Sequence, residues 1–140
     1  MMMSPIVRTT TKLVSPFLVT YSLYLMFYGH LSPGGGFQAG VILAVSVIIL
    51  ITSYGDERVR ERINDRWFKM VEATTVLMIL LMGIIGIFFG GVFYNFLDKG
   101  TFGFPLSGGN ILIFNILVGL KVGAGFIVIY YALLRWLEGD

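Results

Sequence analysis

Hydrophobic and polar positions separate on the scale of whole segments. Four long apolar runs, roughly residues 13–29, 37–54, 73–93 and 111–136, are divided by short stretches that hold nearly all of the charges. A helix rises about 1.5 Å per residue, so about 20 apolar residues cross the hydrocarbon of a bilayer. The pattern predicts an all-α, polytopic membrane protein with four transmembrane helices in a single membrane domain over residues 1–140. The first two runs are short, which implies little tilt. The first ends in Tyr28-Gly29-His30 with no small-x-small cleavage site, so it is expected to be a retained helix and not a signal peptide.

The connection Gly55–Met70 has a different periodicity. Its apolar residues Val59, Ile63, Trp67 and Met70 recur at helical spacing with charges elsewhere, which predicts a short interfacial helix. Such a helix lies on anionic headgroups or docks a cytoplasmic partner. The same connection carries Arg58, Arg60, Arg62, Arg66 and Lys69, while Arg8 and Lys12 precede the first run and Arg135 ends the last. The other two connections hold only Lys99. Cytoplasmic loops collect Lys and Arg, so both termini and this connection are expected in the cytoplasm.

Composition narrows the class. The chain is 56% hydrophobic and 13% charged with a mean hydropathy of +0.85, too few charges to cover a water-facing surface. The net charge of +2 is uninformative because the charges are clustered, and no nucleic-acid partner is expected. With no Cys and one His, a metal or cofactor held by this chain is not expected. No catalytic residues are expected either: the His has no evident Ser or carboxylate companion, and no carboxylate pair shares one membrane depth. An enzyme is therefore disfavoured.

Lys121 breaks the membrane pattern. It lies roughly ten residues from either end of its run, where a charge costs at least about 2.5–3.5 kcal/mol by insertion scales. Asp56, Glu57, Glu61 and Asp65 fall in the basic connection, Glu72 at a span boundary, Asp98 in an outer connection, and Glu138 and Asp140 at the C-terminus. The expectation is that Lys121 meets a carboxylate of another subunit, a hydrated ion path, or a dry contact in which it is neutral. On the same run, Asn115, Gly119 and Gly123 fall within about 80° of one another, and Lys121 lies about 160° from their centre. The glycine face is expected to admit a neighbouring helix closely, with Asn115 hydrogen-bonding across it. In the third run Gly86 and Gly90 form G-x-x-x-G, expected to pack. In the first run Thr20, Tyr24 and Tyr28 make a polar stripe, expected to face protein.

The first outer connection reads Gly29-His30-Leu31-Ser32-Pro33-Gly34-Gly35-Gly36-Phe37. Pro33 fixes a turn, the glycines permit positive φ, and a helix follows with free N–H groups. His30 is a proton-path candidate or a hydrogen-bonded structural residue. This motif, with Ser107-Gly108-Gly109, Asn115 and the run Gly119-Leu120-Lys121-Val122-Gly123-Ala124-Gly125, resembles the B-subunit family of multisubunit Mrp/Mnh-type sodium/proton antiporters. Related subunits occur in archaeal membrane-bound hydrogenase and sulfur-reducing complexes. The likeness spans nearly all of the chain from Leu13. Ala39 stands where the family commonly has glycine.

The resemblance implies a non-catalytic subunit of a prokaryotic cytoplasmic membrane complex, partnered by other membrane subunits and the lipid bilayer. No established ion-binding residue carries over from it. Two functions compete: a subunit that helps form a Na+ or H+ path through Lys121, and a purely structural subunit that joins larger ion-pumping subunits. An independent transporter is disfavoured, because paired broken helices and a midplane carboxylate are missing from the pattern.

Overall fold

The structure, a computed structural model, describes residues 3–31, 33–55, 64–97, 100–101 and 107–139. Among the described residues are four long helices: α1 (Pro5–Tyr28), α2 (Gly35–Tyr54), α3 (Asp65–Phe89) and α4 (Asn110–Glu138). They run up and down. The basic end gathers Arg8, Lys12, Arg66, Lys69 and Arg135, and the glycine end gathers the turn at Gly34 and the segment before α4.

Three of these helices are long and apolar enough to cross a membrane: Gly35–Tyr54, Arg66–Phe89 and Asn110–Leu137. Helix α1, 24 residues long, falls short of that measure. It begins at Pro5 and not near Leu13, so it takes in Arg8, Lys12 and the hydroxyl run Thr9-Thr10-Thr11. Proline serves well as a first helical residue, where its missing N–H is not needed. Thr9 and Thr10 then bond back to the carbonyls of Pro5 and Ile6, 3.0 Å each.

The third helix also starts earlier than the hydropathy suggested. Asn64 caps it, its side-chain oxygen accepting the Arg66 N–H at 3.1 Å. Trp67 and Met70 are therefore the first turns of α3 and not part of a separate surface helix, while Val59 and Ile63 lie outside the described residues.

Helix α2 lies between α1 and α4, and α3 packs on α4 alone to any extent. Two apolar clusters hold the bundle. Near the glycine end Leu25, Met26 and Ala39 meet Ile42, Leu43 and Ile116; near the basic end Ala44, Ile51, Ile127 and Tyr131 meet Phe68 and Leu134. The α1–α2 seam is closed by hydroxyls. Thr11 and Ser53 share a hydrogen bond of 2.7 Å, Ser15 donates to the Ser46 carbonyl at 3.3 Å, and Ser22 to the Ala39 carbonyl at 2.7 Å. Thr11, Ser15 and Ser22 share one face of α1, and small polar residues of this kind join helices where no water is present.

The expected protein-facing stripe is the opposite one. Thr20 is exposed and bonds back to the Pro16 carbonyl at 2.8 Å. Tyr21, Tyr24 and Tyr28 stack along the outside of α1, with centroids 6.3 and 4.8 Å apart.

Candidate functional site

Glycines set the approach of α2 to α4. A Cβ on Gly36 would overlap the Asn115 carbonyl, and one on Gly40 would stand 2.5 Å from the Gly119 oxygen. From the other side, a Cβ on Gly119 would meet Met26 Cε at 2.8 Å and the Gly36 oxygen at 3.2 Å, and one on Gly123 the Gly40 oxygen at 3.2 Å. The face made by Gly119 and Gly123 thus admits a neighbour closely, and the neighbour is α2. Asn115 sits under the turn that joins α1 to α2, with Nδ2 3.0 Å from the Cβ position of Gly29 and Oδ1 3.6 Å from that of Gly35. Gly34 and Gly35 have φ of 131° and 63°, conformations that side chains resist. Pro33 and Phe37 are exposed, Phe37 by 58%.

His30 ties the two connections of the glycine end together. Its Nε2 lies 3.2 Å from Ser107 Oγ, and its ring covers Gly108, where a Cβ would be 3.1 Å from the imidazole Cγ. Its Nδ1 is buried with no partner among the described residues. The start of α4 is held by two residues that periodicity did not mark. Asn95 Oδ1 accepts the Asn110 N–H at 3.0 Å, and Asn110 Nδ2 donates to the Tyr94 carbonyl at 2.9 Å. An asparagine next to a glycine-led helix start is the available sequence signal for such capping. Met82, Phe93, Asn95, Asn110, Ile111 and Phe114 surround a cavity of about 320 Å³ there.

Among the described residues, no other helix lies against Gly86 or Gly90. A Cβ on Gly86 would meet the Tyr94 nitrogen at 2.7 Å, because the chain folds back over α3 after its end. Gly90 closes α3 with φ 125° and has open space beside it.

Lys121 is half-buried on the side of α4 that faces α3. That side is marked by Phe114, which meets Phe93 edge-on at 5.5 Å, and by Gly125, which faces Glu72. Among the described residues none forms a hydrogen bond or ion pair with the Lys121 ammonium. Glu72 is not at a helix boundary: α3 begins at Asp65, so Glu72 lies about 10 Å along it. Its Oε1 is 3.5 Å from the Cβ position of Gly125, one turn from Lys121. The structure therefore brings a carboxylate of this chain close to the depth of the lysine. His30 and Asn115 stay at the glycine end, apart from both.

A family model described as a domain related to the MnhB subunit of Na+/H+ antiporter matches residues 6–128. The B-subunit of a Na(+)/H(+) antiporter of Bacillus subtilis is 35% identical over 103 residues, covering 74% of this chain and 71% of its own length. An uncharacterized protein of Methanocaldococcus jannaschii is 33% identical over 134 residues, covering 87% of this chain; the chain spans about half of that relative's length (49%). Among solved structures, a chain of the membrane-bound sulfane sulfur reductase, an archaeal respiratory membrane complex, superposes with a TM-score of 0.78 at 29% identity. That match covers 94% of this chain and 58% of the other.

Proposed function

The chain belongs to the family of domains related to the MnhB subunit of Na+/H+ antiporters, and from that premise we propose that it is a non-catalytic membrane subunit which helps form a Na+ or H+ path. Its partners in this reading are other membrane subunits, of a multisubunit antiporter or of an antiporter-like module in a respiratory complex such as the sulfane sulfur reductase it resembles. The membrane is the prokaryotic cytoplasmic membrane. α1 serves as a fourth crossing, covered by partners where its polar face is exposed, and both termini lie in the cytoplasm, as the clustering of Arg and Lys at the basic end favours.

The observation that carries this reading is Lys121, a half-buried cation in the apolar stretch of α4, beside the helix that the rest of the chain covers least. Intramembrane ionisable residues of this kind face interiors or hydrated paths and mark routes for ions. A carboxylate on a neighbouring subunit would complete the charge balance on the open side. Replacing Lys121 by Met in the assembled complex tests it. Coupled transport is expected to fall at least tenfold with the subunit still co-purifying, and native transport in that variant would sink the ion-path role.

A second reading, a subunit that only joins larger ones, is favoured by the close glycine contacts of α2 and α4 and by the uncovered surface of α3. It expects Lys121→Met either to leave transport unchanged or to release the subunit.

A further inference from the structure

The ionisable groups between α3 and α4 are spaced along the membrane depth and not joined into pairs. Glu72 is half-buried and lines an open groove of about 430 Å³ with Lys69, Ala73, Val76, Leu77 and Leu80. Across the interface its carboxylate lies against Gly125, with Oε1 3.5 Å from the Cβ position of that residue. Lys121 stands one turn further toward the glycine end, about 6 Å along α4. Side chains lean toward the N-terminus of their own helix. Glu72 therefore leans toward the basic end and Lys121 toward the glycine end, which accounts for two opposite charges a turn apart that form no ion pair. Toward the basic end, Lys69 on α3 and Tyr131 and Arg135 on α4 line a smaller pocket together.

We propose that Glu72 is a proton-binding site inside the membrane, filled from the groove on the basic side and exchanging protons through water with Lys121. The inference rests on the ion-path reading above and adds a second group to it. In the step, the carboxylate takes a proton from a hydronium ion in the groove, leaving water, and becomes the carboxylic acid. The acid then releases its O–H proton to intervening water, which passes a proton to the Lys121 amine once the ammonium has given up its own, and so restores the ammonium. No electron moves, and the carboxylate is regenerated. Gly125 borders the site, and a Cβ there would stay in ordinary contact with the carboxylate.

Carbodiimide labelling of the intact purified complex tests the site without relying on transport. Dicyclohexylcarbodiimide is apolar and reacts with a protonated carboxyl: the acid adds across one C=N bond, its proton going to nitrogen, and the adduct rearranges to a stable N-acylurea. The peptide holding Glu72 is expected to gain the mass of one carbodiimide, with labelling that falls as the pH is raised. Glu72→Gln is expected to abolish the label and lower transport at least tenfold, and Glu72→Asp to recover part of both. A Glu72 that stays unlabelled at acidic pH while other membrane carboxyls of the complex react overturns the proposal. So does native transport by Glu72→Gln in a background where Lys121→Met is inactive. Native transport by Lys121→Met instead defeats the ion-path reading itself. If Glu72→Gln fails to assemble, labelling of the unaltered complex and the Asp variant still decide the matter.

Discussion

The two helix interfaces made by α4 differ in kind. Toward α2 it presents Gly119 and Gly123 to Gly36 and Gly40, with backbone against backbone and no room for a Cβ at Gly36 or Gly40. Toward α3 it presents Phe114, Lys121 and Gly125, and meets a carboxylate and a cavity. Helices in lipid gain little from apolar contact with each other and hold through close packing and shared hydrogen bonds. The first interface uses both, since Thr52 and Tyr130 share a hydrogen bond of 2.8 Å beside the glycine contacts. The second uses neither fully, and ionisable groups lie there. One side of α4 is built to stay closed, and the other leaves space in which charge can move.

The strongest way to break this division is to put a branched side chain in the closed side. Gly40→Val would drive its Cβ toward the Gly119 oxygen and the Gly123 nitrogen, both backbone atoms that cannot turn away. Overpacking of this kind costs about 1–3 kcal/mol where neighbours can yield, and more where they are main chain. The variant is expected to be lost from the complex, measured as its recovery with the co-purified partners in detergent. A Cβ at Gly125 meets only the end of the Glu72 side chain, 3.5 Å away, so Gly125→Ala should assemble normally. Equal loss for both substitutions would show that the two sides of α4 are not different.

A smaller effect sharpens the seam beside it. Ser22→Ala removes a fully buried hydroxyl and leaves the Ala39 carbonyl, its acceptor at 2.7 Å, with only its helical bond. Such hydrogen bonds are worth about 1 kcal/mol in proteins and about 0.6 on average between membrane helices. Thermal unfolding of the detergent-solubilised chain should shift down by a few degrees, with assembly retained. No change would mean that packing alone closes α1 on α2.

Much of the closed side was legible in the sequence, and little of the open side was. Helical periodicity alone puts Asn115, Gly119 and Gly123 on one face, and glycines at that spacing have few uses in lipid other than close approach. Glu72 escaped for a simple reason. Hydropathy falls at the first carboxylate, which suggests that a span starts at Ala73, but hydrogen bonding carries α3 back to the Asn64 cap. That extension moves Glu72 inside the helix, and the residue it faces, Gly125, lies 53 positions away in the chain. Gly86 and Gly90 have a different neighbour within this chain. Their spacing suits a helix neighbour, yet what lies over Gly86 is the chain returning through Tyr94, because Gly90 ends the helix.

The smallest effect expected concerns the outside of α1. Both polar stripes of this helix have the right period, and periodicity cannot say which one meets α2; the structure chooses Thr11, Ser15 and Ser22. Tyr24 on the other stripe is 49% exposed and touches Tyr21 and Tyr28 by stacking alone. Tyr24→Leu keeps an apolar body and removes the hydroxyl, so the isolated chain should unfold within about 0.5 kcal/mol of the parent, as surface changes do. In the assembled complex the same variant measures what lies over that stripe. If a polar group of another subunit meets the Tyr24 hydroxyl, the variant chain should exchange out of the complex faster than the parent. If lipid covers the stripe, the two exchange rates should agree, and α1 would then face another subunit with neither of its polar sides.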